Sequence, residues 1–314
     1  MPKSSFGCSN HVKIRIRTGI IKGRSKPMKR KGINYDVGDV LEGSFMRPTF
    51  DADVAHRELE IIKNDLHCNA VRICGLDIDR LMVAAEDALQ QGLEVWIAPR
   101  MFEKSEQETF DYTVECAKAA ETLRRQWPRL VFTLGCELTI FMQGIVEGNT
   151  LLERMGNPSF WENIKTGKHI KPLNAFLAKA NESVRQVFHG KVTYASAPLE
   201  TVDWSPFDFV CVDFFRETRI KDQYIKLLKP YFVRNKPVII GEFGCCTYQS
   251  AEDAGGWGWN IITPDANPPL FNGTYVRDEG LQARELTEQL GVLDCAGVDG
   301  AFVFTFVSPI LAYN

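Results

Sequence analysis

Two glutamates stand where a carboxylate at a strand end could do acid–base chemistry. Glu137 closes the apolar run Val131-Phe-Thr-Leu-Gly-Cys-Glu137, and Glu242 closes Pro237-Val-Ile-Ile-Gly-Glu242. A carboxylate at the carboxyl end of a buried strand reaches the rim of a parallel barrel, where catalytic groups are placed. Two of them on different strands can divide one task, with one protonating a leaving oxygen while the other attacks or activates water, as glycoside hydrolysis requires. Carboxyls roughly 5 Å apart allow double displacement with retention, and roughly 6.5–9.5 Å admits the water of an inverting reaction. The structural alternative is that one or both glutamates are satisfied by salt bridges to Arg72 or Arg100.

The other polar residues at or just beyond strand ends are Asp36, Arg72, Arg100, Asp203, Asp213 and Arg216. A cation such as Arg72 beside a nucleophilic carboxylate keeps it ionised, while apolar surroundings raise the pKa of an acid. Arg72 can equally serve as a structural ion-pair partner at the barrel mouth. Asp203 and Asp213 suit either the binding of hydroxyl groups or the capping of turns. None of the five histidines (His11, His56, His67, His169, His189) ends an apolar run, which weakens zinc-hydrolase and Ser-His-Asp readings. No metal and no cofactor are expected.

Nine cysteines occur without a C-x-x-C spacing, and Cys68, Cys74, Cys136 and Cys211 lie in or beside apolar runs. That usage suits buried, reduced thiols of a cytoplasmic protein. The adjacent pair Cys245-Cys246 keeps a redox or metal role open.

The elements that must position these groups follow a βα pattern. Strands are predicted over residues 32–35, 70–73, 94–98, 131–136, 191–196, 209–213, 238–241 and 301–306. Helices are predicted over 53–66, 79–91, 106–127, 173–188, 222–233 and 279–293. The 197–208 link is too short for a normal helix. Eight strand units match a single-domain (β/α)8 TIM barrel better than an open doubly wound sheet. The open sheet would carry a Gly-rich phosphate turn after its first strand, where this chain reads Asn34-Tyr-Asp-Val-Gly38. The eighth helix is expected to be missing, because the chain runs only eight residues past Phe306.

The two longest loops, 138–171 and 243–278, follow the strands that carry Glu137 and Glu242. They hold Phe141, Phe160 and Trp161, and Tyr248, Trp257 and Trp259. Long loops in a compact domain are usually functional. Flat aromatic faces beside polar groups suit a sugar or another ligand of mixed surface, although each aromatic can instead pack its loop down. Trp204, next to Asp203, joins the substrate-binding candidates.

Charge is unevenly spread. Residues 1–31 hold ten Lys or Arg and no acid, leaving 27 basic against 40 acidic residues in the rest of the chain. An acidic body argues against nucleic acid as a partner. Residues 1–30 are expected to form a basic N-terminal extension to a glycosidase-like domain over 31–314. It is read as a solvated arm, an upstream extension before a start at Met28, or a weak transit-like segment. No run of 18 apolar residues exists, so no membrane-spanning helix is expected.

Gly32-Ile-Asn-Tyr-Asp36, Asn69-Ala-Val-Arg-Ile73, the fourth-strand glutamate and Gly241-Glu-Phe-Gly244 resemble the clan A glycoside hydrolases. That resemblance implies a (β/α)8 barrel with Glu137 as acid/base, Glu242 as nucleophile and an oligosaccharide or small glycoside as substrate. Residues 32–308 are also similar to bacterial proteins grouped as abortive infection proteins. The carriers are Gly135-Cys-Glu-Leu138, Lys191-Val-Thr-Tyr-Ala-Ser196, Val202-Asp-Trp204, Tyr275-Val-Arg-Asp278 and Ala301-Phe-Val-Phe-Thr-Phe306. Members of that group continue past the eighth strand with an acidic segment and a helix. Two departures from the clan pattern bear on recognition. Cys136 takes the place of an asparagine that bonds the sugar 2-hydroxyl, and Phe304 and Phe306 replace a tryptophan. Besides hydrolysis through Glu137 and Glu242, two readings follow: a non-catalytic barrel binding a carbohydrate or a partner in the phage response, and an enzyme using Cys136 or Cys245.

Overall fold

A computed structural model describes residues 27–41, 43–263 and 270–307. Eight parallel strands close into a barrel: β1 (Arg30–Asp36), β2 (Ala70–Gly75), β3 (Glu94–Pro99), β4 (Leu130–Cys136), β5 (Lys191–Ser196), β6 (Val210–Asp213), β7 (Val238–Phe243) and β8 (Gly300–Val303). Each strand pairs with its sequence neighbours, and β1 pairs with β8 to close the ring. The expected TIM barrel is therefore observed. Strand runs are mostly apolar because helices cover the outside while side chains fill the inside, with polar residues such as Arg72, Asp213 and Glu242 placed along them.

The outer layer contains α1 (Ala52–Asn64), α2 (Ile78–Gln90), α3 (Glu106–Gln126), α4 (Ile170–Val187) and α5 (Glu279–Ala296). Their starts are local: Asp51, Asp77 and Asp278 each accept a hydrogen bond from a first-turn backbone N–H, and Ser105 and Glu108 form a capping box. Asp53 and Asp79 sit in the first turns as helix-dipole acids. The helix predicted over 222–233 is instead a short α turn, Tyr224–Leu228, flanked by 3-10 turns at Thr218–Gln223 and Lys229–Arg234. Pro230 sits in the second of these turns, where its ring and missing N–H interrupt a regular α-helix. As expected, the link between β5 and β6 contains no helix.

The barrel interior is plugged by Trp96, whose ring lies 4.9 Å from Phe209 and 5.2 Å from Phe302. Beneath this layer Arg30 donates to Glu94 at 2.5 Å, pairs with Asp299, and places its guanidinium over the Phe209 ring. Arg30, the last residue of the expected extension, thus opens β1, and the buried Met28 anchors to α5 through Asp294. Residues 1–26 of that extension lie outside the described residues, as do residues 308–314, on which the missing eighth helix bears. β8 ends at Val303, three residues short of the predicted end, and the Phe304–Thr305 peptide is cis.

Three strand pairings shift register at their carboxyl ends, between Thr133 and Cys136, between Val212 and Asp213, and between Ala301 and Val303. Such irregularities re-aim side chains at barrel rims. One result is that Asp213 pairs directly with Glu242.

Close packing leaves no room for side chains at chosen glycines. A Cβ on Gly32 would lie 2.4 Å from the Phe302 ring. Gly32→Ala is therefore expected to cost about 1–3 kcal/mol through forced repacking, measured as a lowered midpoint in urea unfolding with an unchanged slope.

Candidate active site

The carboxyl ends of the strands surround a cavity of about 680 Å³. Its floor carries Asn34, Cys136, Glu137, Asp213, Glu242, Asp36, Asp39 and Arg100, and its walls include Phe102, Phe141, Trp161, Phe215, Trp257, Trp259 and Phe304. Both glutamates of the opening pair reach it.

Glu242 is the most heavily tied of these groups. Arg72, fully buried on β2, donates to it at 2.8 Å, and Arg100, just beyond β3, donates to the same carboxylate oxygen. Arg72 also donates to Asn34 at 3.0 Å and lies 3.8 Å from Asp213. Arg100 is held from behind by Asp39 at 3.1 Å. These are charge-assisted contacts in a water-poor setting, where each is worth more than at the surface. Gly241 makes the arrangement possible, because a Cβ there would come within 2.3 Å of an Asp213 carboxylate oxygen.

Glu137 has a different setting. No cation donates to its carboxyl among the described residues, and its backbone is left-handed, φ 47° and ψ 46°. Such strain in a non-glycine residue persists only where surrounding contacts fix it. Burial, then the charges of Asp213, Glu242 and Glu200, push its pKa well above the usual carboxylate range, against the pull of Arg100. Burial and the neighbouring Glu242 raise Asp213 to about 7. Burial and Asp36 raise Asp39 to about 7, and burial raises Asp36 itself.

The sequence-predicted residues divide. Asp36, Arg100, Asp213, Trp257 and Trp259 line the cavity with the two glutamates, and Arg72 lies directly beneath. Four others do not reach it. The Asp203 carboxylate accepts from the Ser205 backbone at 3.0 Å and from its hydroxyl, the turn-capping role weighed for it. Trp204 is buried against Phe207, and its carbonyl accepts from Lys236. Tyr248 meets Tyr275 edge to face and donates to the Gly258 carbonyl, packing its own loop. Arg216 faces α5, pairing with Glu285 and Glu288. Sequence reading missed Asn34, Asp39, Glu200 and Glu217. Asn34 and Asp36 alternate along β1 on one face, a period-two signal that could have found Asn34.

Cys136, Cys245 and Cys246 do not suit nucleophilic or metal chemistry. Burial, followed by Asp213, pushes the Cys136 thiol far up, and burial takes Cys245 and Cys246 to about 12. Thiolates are the reactive and ligating form. Cys136 Sγ and carboxylate oxygens of Asp213 and Glu242 lie within 4.8 Å of one another. Two guanidiniums already neutralise that cluster, a donor set that opposes a further cation.

This architecture is the (β/α)8 barrel seen in glycoside hydrolases. It superposes on a GH113 β-1,4-mannanase with a TM-score of 0.59, 14% identity and 91% coverage of each chain. It also superposes on the GH113 β-mannanase AaManA of Alicyclobacillus acidocaldarius in complex with ManMIm, with a TM-score of 0.57, 15% identity and coverage of 91% and 89%. The β-glucuronidase 2 of Bacteroides uniformis matches with a TM-score of 0.55 and 14% identity over 91% of this chain and 32% of the enzyme. At such identities the likeness is one of fold. No family model and no curated protein matches the sequence. No helix among the described residues is long and apolar enough to cross a membrane.

The raised carboxyls have a linkage consequence. A folded-state pKa above the unfolded value means the native state holds more protons, so stability falls as pH rises through that window. For Asp39 and Asp213 the window runs from 3.8 to about 7, and Glu137 extends it in the same direction. Glu137→Gln is expected to raise stability at pH 8 by on the order of 1–3 kcal/mol, the cost of an unpaired buried group. The gain should shrink towards zero by about pH 4, where the Glu137 carboxyl is protonated in the folded chain and mostly so in the unfolded one. Thermal unfolding of both proteins across this range checks it.

Proposed function

We propose that this protein is a glycoside hydrolase in which Glu137 is the general acid/base and Glu242 the nucleophile, acting with retention on a glycoside or glycoconjugate. The observation that carries this reading is the pairing of two carboxyls in one cavity with opposite surroundings. Glu242 is aligned by two guanidiniums, and Glu137 is an acid whose proton is retained by burial and by the neighbouring carboxylates. Such divergence between two titratable groups separates an acid from its partner.

A Glu242 oxygen attacks the anomeric carbon as the glycosidic C–O bond breaks, and Glu137 gives its proton to the leaving oxygen. Glu137, now a carboxylate, takes a proton from water, which displaces Glu242 from the anomeric carbon. Trp161, Trp257 and Trp259 offer flat faces to sugar rings along the walls. The likeness in fold to the mannanases supports an oligosaccharide substrate. The free cysteines among the described residues support a cytoplasmic setting.

The alternative is a non-catalytic barrel that binds a carbohydrate or a partner in the phage response. It is favoured by Cys136, whose thiol donates to Asp213 at 3.3 Å where the clan pattern has a sugar-binding amide. Turnover separates the two.

In a screen of aryl glycosides, Glu242→Gln is expected to abolish measurable hydrolysis. Glu137→Gln is expected to lose about 10²–10⁴-fold in kcat/KM, and less on dinitrophenyl glycosides, whose leaving group needs no proton. A 2-deoxy-2-fluoro glycoside should label Glu242, read by peptide mass spectrometry. Hydrolysis that survives both substitutions unchanged would sink the assignment.

A further inference from the structure

The turn that carries Glu137 is held by two side chains from β5 and the helix-free segment after it. Leu138 N–H donates to the Tyr194 hydroxyl at 2.7 Å, and Thr139 N–H donates to Glu200 Oε1 at 2.8 Å. Tyr194 in turn donates to the Glu200 carboxylate, with its oxygen 2.9 and 3.0 Å from the two acceptors. Ala197 N–H donates to Glu200 Oε2 at 2.9 Å, tying the carboxylate to its own loop. Glu137 itself hangs from β5 through its N–H to the Ala195 carbonyl at 2.8 Å. Tyr194 is fully buried and Glu200 nearly so.

We propose that Glu200, acting with Tyr194, is the positioning residue for Glu137, clamping the left-handed turn that aims its carboxyl into the cavity. This rests on the reading of Glu137 as the acid/base. A buried carboxylate is costly unless its oxygens are matched by donors, and Glu200 is matched by two backbone amides and a phenol. Those amides belong to the turn after Glu137 and to the loop after β5, so the clamp joins the two segments that frame the acid. A strained residue is stable only when neighbours over-determine it, and these contacts supply that constraint.

The clamp is electrostatic as well as steric. The groups facing Glu137 are Asp213 on β6, Glu242 on β7, Glu200 after β5 and Arg100 after β3. After burial and the first two of these, Glu200 is the next contributor that keeps the Glu137 proton in place, with Arg100 opposing. Around Glu200 lie Tyr194 and, from the turns after β6, Tyr231, whose phenol is raised to about 12 by burial and by the Glu200 charge. From the start of α4, His169 Nε2 lies 3.2 Å from the Leu199 carbonyl.

The test reads the Glu137 carboxyl directly, without a substrate. The folded chain is treated with a carbodiimide and glycine ethyl ester across pH 4.5–8, and amidation of Glu137 is followed by peptide mass spectrometry. Protonated carboxyls react, so the profile reports their midpoint. Glu200→Gln should move the Glu137 midpoint down by about one pH unit, the scale of a lost neighbouring charge. Tyr194→Phe, which removes the hydroxyl's bonds to Leu138 N–H and to Glu200 but no charge, should leave the midpoint in place. On an aryl glycoside that serves as substrate, both variants should lose about tenfold in kcat with KM held. A merely structural role would lower stability without moving the midpoint, and that result in Glu200→Gln overturns the proposal. If Glu200→Gln does not fold, an unchanged kcat in Tyr194→Phe overturns it. A wild-type chain that hydrolyses no glycoside counts against the hydrolase reading alone, because the amidation midpoint is still read.

Discussion

Arg72 is fully buried inside a barrel whose neighbouring interior is Trp96, Phe209, Phe302, Ile239 and Ala70. A guanidinium cannot be deprotonated to escape such a setting, so it must be met by charge and by hydrogen-bond acceptors. Glu242, Asp213 and Asn34 supply them. Removing one partner from a buried pair typically costs about 3–5 kcal/mol, because the other charge is left stranded. The position of Glu242 is consequently set by the core of the fold, and Arg100, held by Asp39, adds a second contact from just beyond β3. The register shift before Asp213 and the bare Cα of Gly241 serve the same end, since they let two carboxylates approach one cation from adjacent strands.

Glu137 is governed by the opposite logic. It sits one residue beyond β4, in a conformation that its side chain disfavours, facing acids with Arg100 as the opposing cation. Everything about that placement works against stability above neutral pH, and the barrel tolerates it because rigid neighbours on β5 hold the turn. Strain and an unpaired acid concentrated at one residue mark a place where structure has been spent on something other than folding.

Much of this was legible in the chain. The apolar strand runs were readable as strands because they are buried on both faces and carry no competing period. The starts of α1 and α2 were readable from Asp53 and Asp79, which sit in the first turns, two residues after the capping Asp51 and Asp77. Glu137 and Glu242 stood out because a carboxylate ending such a run has few structural uses. The backing of Arg72 by Asn34 and of Arg100 by Asp39 was not legible, since it depends on strand register and on where each loop turns back. Asp203 and Trp204 misled for the same reason: their types suit sugar binding, but the short 197–208 link folds them onto Ser205 and Phe207. Tyr248 failed because a long loop must pack against itself before it can face a ligand.

The composition of the cavity also bears on how a substrate would be selected. Asn34 is consumed on every side, donating to the Gly241 and Val303 carbonyls and accepting from Arg72. The Cys136 thiol is committed to Asp213. Neither is free to read a hydroxyl, and the amide that the clan pattern places at position 136 is gone. Polar groups built to bond a substrate hydroxyl reject analogues by about 10⁴–10⁵, whereas an apolar pocket discriminates by only about 10–200-fold per methylene. With walls that include Trp161, Trp257, Trp259, Phe141 and Phe304, the cavity offers a sugar, on the proposed reading, more flat apolar surface than hydroxyl-reading groups at the positions of Asn34 and Cys136. On the proposed hydrolase reading, bond cleavage and the choice of sugar would be separable: the first would rest on a charge cluster locked into the barrel core, and the second on aromatic side chains carried by loops, where substitution disturbs the fold least.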